Sequence, residues 1–124
     1  MIVLLWACAV EEFAVPEATV FFEDQAWEGT LSFVRFEGEK ELCRMDYSLM
    51  EGKEVTCDAC LWEVSFQLLA LSEPCVFSSL ESLSFRVGAD KEWIVLEDTG
   101  WENWGTVEEG ENSWDFISSY HFLE

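Results

Sequence analysis

The chain contains few basic residues. Six Lys and Arg stand against 26 Asp and Glu among 124 residues, which gives a formal net charge of -20. A protein that binds nucleic acid neutralises phosphates with clustered Lys and Arg. All six basic residues fall between residues 35 and 91, so both end segments carry uncompensated negative charge. This sequence therefore excludes direct binding to DNA or RNA.

Residues typical of catalytic sites are also scarce. The single histidine, His121, stands between Tyr120 and Phe122 near the end of the chain, where no third group is placed to orient a base. The seven glycines are scattered and form neither G-x-G-x-x-G nor a P-loop. Carboxylate pairs are so abundant that they single out no general acid and base, as glycoside hydrolysis would require. We predict a protein that is not an enzyme and holds no cofactor.

Long hydrophobic runs are missing as well. No stretch reaches the roughly 18 apolar residues that a membrane-spanning helix needs. The segment "MIVLLWACAV" at residues 1–10 has no positive n-region, and its apolar run is short for a signal peptide. We interpret it as a buried strand and predict a soluble protein without membrane contact, located in the cytoplasm, or in the host cytoplasm if the protein is viral.

The hydrophobic content indicates a folded chain. Half of the residues are hydrophobic and 15% are aromatic, which is too much apolar surface for a disordered acidic tail. The length matches one domain. We therefore expect residues 1–124 to form a single acidic, β-rich domain, although self-repulsion between the charges opposes compaction.

Polar and apolar residues alternate with a period of two, which is typical of strands. The pattern is clearest in "TLSFVRF" and "LWEVSFQLLAL", and the predicted strands cover residues 30–36, 42–49, 61–71, 83–87 and 92–97. Short turn sequences between them predict a mainly β fold, an antiparallel meander that forms a small barrel or a sandwich. Pro16 and Pro74 lie outside these patterns. Residues 112–123 fit a short C-terminal helix, capped by Asn112 or Ser113, about as well as a strand.

Five cysteines raise the question of a metal or redox site. Cys57 and Cys60 form one C-x-x-C, with Cys43 before it and Cys75 after it. A four-thiolate zinc site needs two such pairs, and an odd number of cysteines does not suit a fully paired secreted framework. We expect buried free thiols. Disulfide formation and a zinc site at Cys43, Cys57, Cys60 and Cys75 remain as alternatives.

The segment "LEDTGWENWGTVEEGENSWDF" at residues 96–116 combines seven carboxylates with three tryptophans and has no Lys or Arg. Strand patterns assign Trp6, Trp62 and Trp93 to the core, whereas "GWENWG" reads as a loop. Tryptophans in an acidic loop are typical hot spots for a basic partner. The predicted partner-binding residues are Glu97, Asp98, Trp101, Glu102, Trp104, Glu108, Glu109, Glu111 and Asp115.

These features favour a non-enzymatic inhibitor that binds the basic, nucleic-acid-binding surface of another protein, such as a nuclease. Carboxylates at positions i and i+2 of a strand lie about 6.6 Å apart on one face, a spacing comparable to that of neighbouring phosphates, so the surface could act as a DNA mimic. A viral anti-defence protein of the anti-CRISPR type and a toxin immunity protein both fit. The combination of tryptophans with carboxylates also suits a carbohydrate site, which we favour less.

Two alternatives from other classes stay open. A small barrel can hold an apolar or aromatic ligand in its lumen, which requires a cavity and inward-facing polar groups. The chain can also be an acidic subunit of a larger assembly that buries its exposed tryptophans against a neighbour.

Overall fold

The computed structural model describes residues 12–72, 80–119 and 122–123, and these residues form strands and turns without a helix. None of these described residues belongs to a helix that is long and apolar enough to cross a membrane. The strands are β1 (Glu12–Glu23), β2 (Ala26–Glu37), β3 (Lys40–Val55), β4 (Cys60–Ser72), β5 (Ser82–Gly88), β6 (Glu92–Glu97), β7 (Gly100–Glu109), β8 (Ser113–Ser118) and β9 (Phe122–Leu123).

The first eight strands form a closed antiparallel barrel. Each strand from β1 to β8 pairs with its neighbour in sequence, and β1 also pairs with β8, which closes the meander. The two-residue strand β9 adds to β1 at Phe13 and Ala14. The prediction of a mainly β small barrel is confirmed.

All five strands predicted from alternation are present, and the structure adds β1, β7, β8 and β9. The helix considered for residues 112–123 is wrong, because Trp114 and Phe116 turn toward the interior while Asp115 and Ile117 are exposed. That alternation has the period of a strand. The strand predicted for residues 1–10 lies outside the described residues.

Pro16 lies inside β1, contrary to the sequence prediction, and is fully buried opposite Phe33 of β2. At this point β1 has β2 as its described neighbour on one side only, because β8 pairs with residues 18–21 and β9 with residues 13–14. A proline without an N–H is tolerated at such a local edge of a sheet.

Apolar side chains fill the interior of the barrel. Trp93, Tyr47 and Phe33 are among the largest fully buried side chains, and the ring of Phe85 lies 5.6 Å from that of Trp93 and 5.4 Å from that of Phe66. No polar or charged residue is buried in the part of the chain that the structure describes. Two indole N–H groups in the interior, Nε1 of Trp62 and Nε1 of Trp93, are nevertheless buried without a hydrogen-bond partner among the described residues. The alternative of a ligand in the lumen therefore stays a prediction.

The connections alternate between two ends of the barrel. The turns after β1, β3, β5 and β7 lie at what we name the upper end, and those after β2 and β6 lie at the lower end. At the upper end, Asp24 and Gln25 connect β1 to β2 with φ angles of 52° and 65°. Two successive positive φ angles are typical of a tight type I′ hairpin turn.

Candidate binding surface

Trp104 belongs to the core rather than to a binding loop. Its side chain is 2% exposed, and its ring centroid lies 5.3 Å from that of Trp93 and 6.1 Å from that of Phe33. The Nε1 atom donates a hydrogen bond of 2.9 Å to Oε2 of Glu97. The prediction that Trp104 anchors a partner from a loop is wrong, because residues 100–109 form β7 and turn this ring inward.

A bulge in β7 explains why its sequence resembles a loop. The register between β6 and β7 shifts between Trp93 and Ile94, and Trp104 and Gly105 are both buried although they are consecutive. A Cβ at Gly105 would collide with the carbonyl oxygen of Ile117 on β8. The glycine is needed where two backbones approach closely, as glycines within strands often are.

Trp101 lies half-buried on the outer surface of the barrel, where it contacts a basic side chain. The Arg86 Cζ lies 4.0 Å from the centroid of its ring. The same guanidinium donates to Glu63 Oε1 through Nε at 3.1 Å and Nη2 at 2.7 Å. Trp101 therefore helps to hold an ion pair within the protein.

The predicted carboxylates are divided between the two ends of the barrel. Glu97, Asp98 and Glu102 lie at the lower end, where Glu102 Oε1 accepts a hydrogen bond of 3.2 Å from Thr99 Oγ1. At the other end of β7 or beyond it lie Glu108, Glu109, Glu111 and Asp115. The ten residues of β7 extend over about 30 Å at roughly 3.3 Å per residue, so residues 97–115 do not form one continuous surface.

Glu108 and Asp115 face each other across the upper part of the β7–β8 ladder. They are direct register partners, and both are exposed. Thr19 Oγ1 donates a hydrogen bond of 3.0 Å to Asp115 Oδ1, but neither carboxylate pairs with a basic residue in the described part of the chain. Like charges directly opposite each other destabilise a sheet. A second exposed pair of facing carboxylates, Glu12 and Glu37, lies in register between β1 and β2.

The end of β1 lies beside the β7–β8 turn, because Phe21 pairs with Ser113 and Thr19 with Asp115. This proximity brings exposed carboxylates from two hairpins together. We name the upper acidic surface after its five members, all exposed: Glu23, Asp24, Glu108, Glu111 and Asp115. Three of them were predicted from the sequence as partner-binding residues. Glu23 and Asp24 belong to the region that the sequence predicts as the alternative contact surface, near Glu11, Glu12, Glu17, Glu23 and Asp24.

A row of aromatic rings crosses the barrel beneath this surface. Phe22 lies 4.9 Å from Trp27, Trp27 lies 4.7 Å from Trp62, and Trp62 lies 5.5 Å from Trp114, measured between ring centroids. Trp62 is 7% exposed, which confirms its assignment to the core, whereas Phe22 is 48% exposed. An exposed ring beside several carboxylates is a possible contact for a partner.

Some polar groups near the aromatic row have partners, whereas Trp62 Nε1 within the row is buried without one among the described residues. Trp27 Nε1 donates a hydrogen bond of 3.1 Å to Glu54 Oε1. Lys91 Nζ lies 3.4 Å from Glu109 Oε1 and 5.8 Å from the centroid of the Trp114 ring. Glu109, another predicted site residue, is thus partly neutralised within the protein.

A surface cavity of about 430 Å³ opens between the end of β1 and the start of β8. Its lining residues are Phe21, Phe22, Glu23, Asn112 and Ser113. Two phenylalanines and one glutamate are among them, and no Lys or Arg is. In the sequence, this cavity is indicated only by the two phenylalanines and two acids at residues 21–24. That stretch lies outside the predicted strands.

The cysteines depart from the sequence prediction of free thiols. Cys57 and Cys60 form a disulfide with a Cα separation of 5.9 Å, and Cys43 is also disulfide-bonded. Ala59 has a φ of 56° and lies in the turn that the Cys57–Cys60 bond closes at the upper end. The alternative of a zinc site at Cys43, Cys57, Cys60 and Cys75 stays a prediction from the sequence. Cys75 lies outside the described residues.

No family model matches the chain, and neither the curated proteins nor the solved structures include a match.

Proposed function

We propose that the protein is a non-enzymatic inhibitor, and that it binds a basic, nucleic-acid-binding surface of a partner protein through its upper acidic surface. The observation that carries the proposal is the close placement of carboxylates without cations, above all Glu108 opposite Asp115. A sheet that keeps two like charges in register loses stability. Binding to a basic partner offsets this loss, because the partner supplies the missing positive charge.

The charge of the whole chain supports the same mechanism. With 26 acids and six bases, the protein produces a negative field that attracts a basic partner and repels nucleic acid. Arg44, Arg86 and Lys91 already pair with carboxylates within the protein. A viral anti-defence inhibitor, including one of the anti-CRISPR type, and an immunity protein against a toxin nuclease both operate in this way.

One observation favours a second candidate, an acidic subunit of a larger assembly. The outer face of β4 exposes Leu61, Leu69 and Leu71 by 48%, 52% and 57%. Exposed apolar side chains on a strand suit a permanent neighbour better than water. This face belongs to a different side of the molecule from the upper acidic surface, so the two candidates can be tested separately.

The cellular compartment is a separate question. We predicted the cytoplasm from the sequence, but disulfides persist in oxidising compartments and are rare in cytosolic proteins. The Cys57–Cys60 disulfide is therefore an argument against the cytoplasm. Alkylation of the protein directly in its source cells tests this, since cytoplasmic protein would be modified at Cys57 and Cys60 without prior reduction.

Affinity capture tests the interaction. Immobilised protein is incubated at low salt with a lysate of the source organism or its host, together with two triple variants. Glu108→Gln, Glu111→Gln and Asp115→Asn remove three charges from the upper acidic surface. The control variant, Glu37→Gln, Glu39→Gln and Asp98→Asn, removes three exposed charges at the lower end.

We expect the parent and the control to retain a nucleic-acid-handling protein that the upper variant loses, and we expect added DNA to compete for it. Retention of such a protein by all three in equal amount would contradict the assignment of the surface. If the parent retains no nucleic-acid-handling protein, the inhibitor function is contradicted.

A further inference from the structure

We propose that the cavity between β1 and β8 receives an arginine side chain of the basic partner. This inference rests on the proposed function and specifies the group that the upper acidic surface recognises. The cavity is lined by Phe21, Phe22 and Glu23 from β1 and by Asn112 and Ser113 on the opposite wall, and Phe22 and Glu23 are both exposed. A guanidinium needs a flat apolar surface for its face and oxygen acceptors for its N–H groups.

The protein already contains this arrangement elsewhere. On the outer face of β4 to β7, the Arg86 guanidinium lies 4.0 Å from the Trp101 ring and donates two hydrogen bonds to Glu63. An aromatic ring and a carboxylate thus hold an arginine within the fold. The cavity at the end of β1 is lined by the same two residue types, phenylalanine and glutamate, and none of its described lining residues is basic.

Both walls of the cavity lie beside short turns. On one side, the two-residue turn at Asp24 and Gln25 follows Phe22 and Glu23 directly. On the other side, the backbone N–H of Gly110 donates a hydrogen bond of 2.7 Å to the carbonyl oxygen of Ser113. Preorganised walls reduce the entropy lost on binding. Phe22 is further supported by Trp27, whose ring lies 4.9 Å away.

Charge and shape together favour arginine over other side chains. An apolar side chain would fill the space against Phe21 and Phe22 but would leave Glu23 without a partner. A lysine would satisfy Glu23 as a point charge, whereas the planar guanidinium also stacks on an aromatic face. We therefore expect the cavity to discriminate between two cations of equal charge.

The test uses three small probes and the whole protein. N-acetyl-arginine methylamide, the lysine analogue and the neutral citrulline analogue are titrated separately into the isotope-labelled chain, and amide resonances are followed by NMR. We expect arginine to shift the resonances of residues 21–23 and 112–113 in a saturable way. Citrulline, which has the same shape without the charge, should bind about tenfold more weakly, and lysine should fall between the two.

Variants identify the two groups that carry recognition. Glu23→Gln removes the charge, and Phe22→Leu keeps apolar volume but removes the ring, so each should weaken the arginine response while the rest of the spectrum stays unchanged. Glu39→Gln removes a charge from the turn after β2 at the lower end and should not alter the response. Phe22→Leu is preferable to Phe22→Ala because it preserves the packing against Trp27.

Specific outcomes overturn the inference. Equal binding of arginine and citrulline, or arginine shifts spread over all acidic residues without saturation, would show that the cavity does not recognise a guanidinium. If the probes fail while affinity capture retains a nucleic-acid-handling protein, the inference fails and the proposed function stands. If arginine binds in the cavity while capture retains nothing, the proposed function fails and the arginine site stands.

Discussion

The indole Nε1 of Trp104 donates a hydrogen bond of 2.9 Å to Oε2 of Glu97, which links the barrel core to the rim of its lower end. The ring itself is 2% exposed. Oε2 of Glu97 thus accepts a hydrogen bond from the ring of a buried residue. This relationship changes what substitutions in the acidic, tryptophan-rich segment are expected to do.

Replacement of Trp104 by alanine should act on stability. Removing a buried tryptophan leaves a cavity beside Trp93 and Phe33 and costs about 3–5 kcal/mol, a large part of the stability of a small domain. Urea denaturation monitored by circular dichroism measures the change. Trp104→Phe is the control, since it keeps most of the ring and should cost clearly less. A fully stable Trp104→Ala protein would contradict the core assignment.

Replacement of Trp101 by alanine should have a milder effect. The substitution removes the ring that stacks on Arg86 but leaves the Arg86–Glu63 ion pair in place. A partly exposed cation–π contact contributes about 0.5–1 kcal/mol, so the melting temperature should fall by only a few degrees. Partner binding should be unchanged, because Trp101 lies outside the upper acidic surface. If Trp101→Ala folds normally but loses partner binding, Trp101 belongs to the contact surface after all.

The strands that were easiest to predict are those in which one face is apolar and the other polar. Residues 61–71 show this pattern, and residues 92–97 coincide with β6. β1 and β7 were harder for identifiable reasons. β1 contains Pro16 at a local edge, and β7 contains a bulge at Gly105 that places two buried residues in succession. In both strands the local sequence departs from the usual strand pattern, and the reason lies in how neighbouring strands pair, which the sequence does not display.

The candidate surface could be predicted only in part. The acidic character of residues 108–115 was apparent from composition, but which carboxylates are close together depends on barrel closure. Asp115 neighbours Thr19 because β8 pairs with β1, two strands that are almost a whole chain apart. Glu23 joined the surface through the same pairing. Long-range register of this kind has no signal in a single sequence.

The Cys57–Cys60 disulfide should contribute to stability. Replacing both residues by serine removes a cross-link that closes the upper turn between β3 and β4, and loop-closure entropy for so short a loop predicts a loss of about 2 kcal/mol. Thermal melting should show the decrease for the double serine variant, and dithiothreitol should have a similar effect on the parent. A strong chelator should change nothing. A large drop with chelator alone would instead indicate a bound metal.

Replacement of Glu108 by glutamine should stabilise the isolated protein. The change removes the repulsion from Asp115 directly opposite and keeps the size of the side chain. A cross-strand pair of this kind contributes about 0.2–1 kcal/mol, so the free energy of unfolding should rise by that amount. Glu39→Gln, in the exposed turn after β2, is the matched control and should change stability less. If both variants raise the free energy of unfolding equally, the destabilisation comes from the net charge and not from the facing pair.

The triple variant of Glu108, Glu111 and Asp115 should associate more slowly with the captured partner. Charges at the rim of an interface accelerate encounter more than they retain the complex, so the association rate constant should fall about tenfold at low salt while the dissociation rate changes less. Salt should then slow association less steeply than it does for the parent, because there is less attraction left to screen. Surface plasmon resonance at several ionic strengths measures both rates. The control is the lower-end variant of Glu37, Glu39 and Asp98, which loses the same charge from the far end of the barrel. Equal slowing in the two variants would mean that the total charge steers the partner, and that the position of the carboxylates at the upper end is not what the partner recognises.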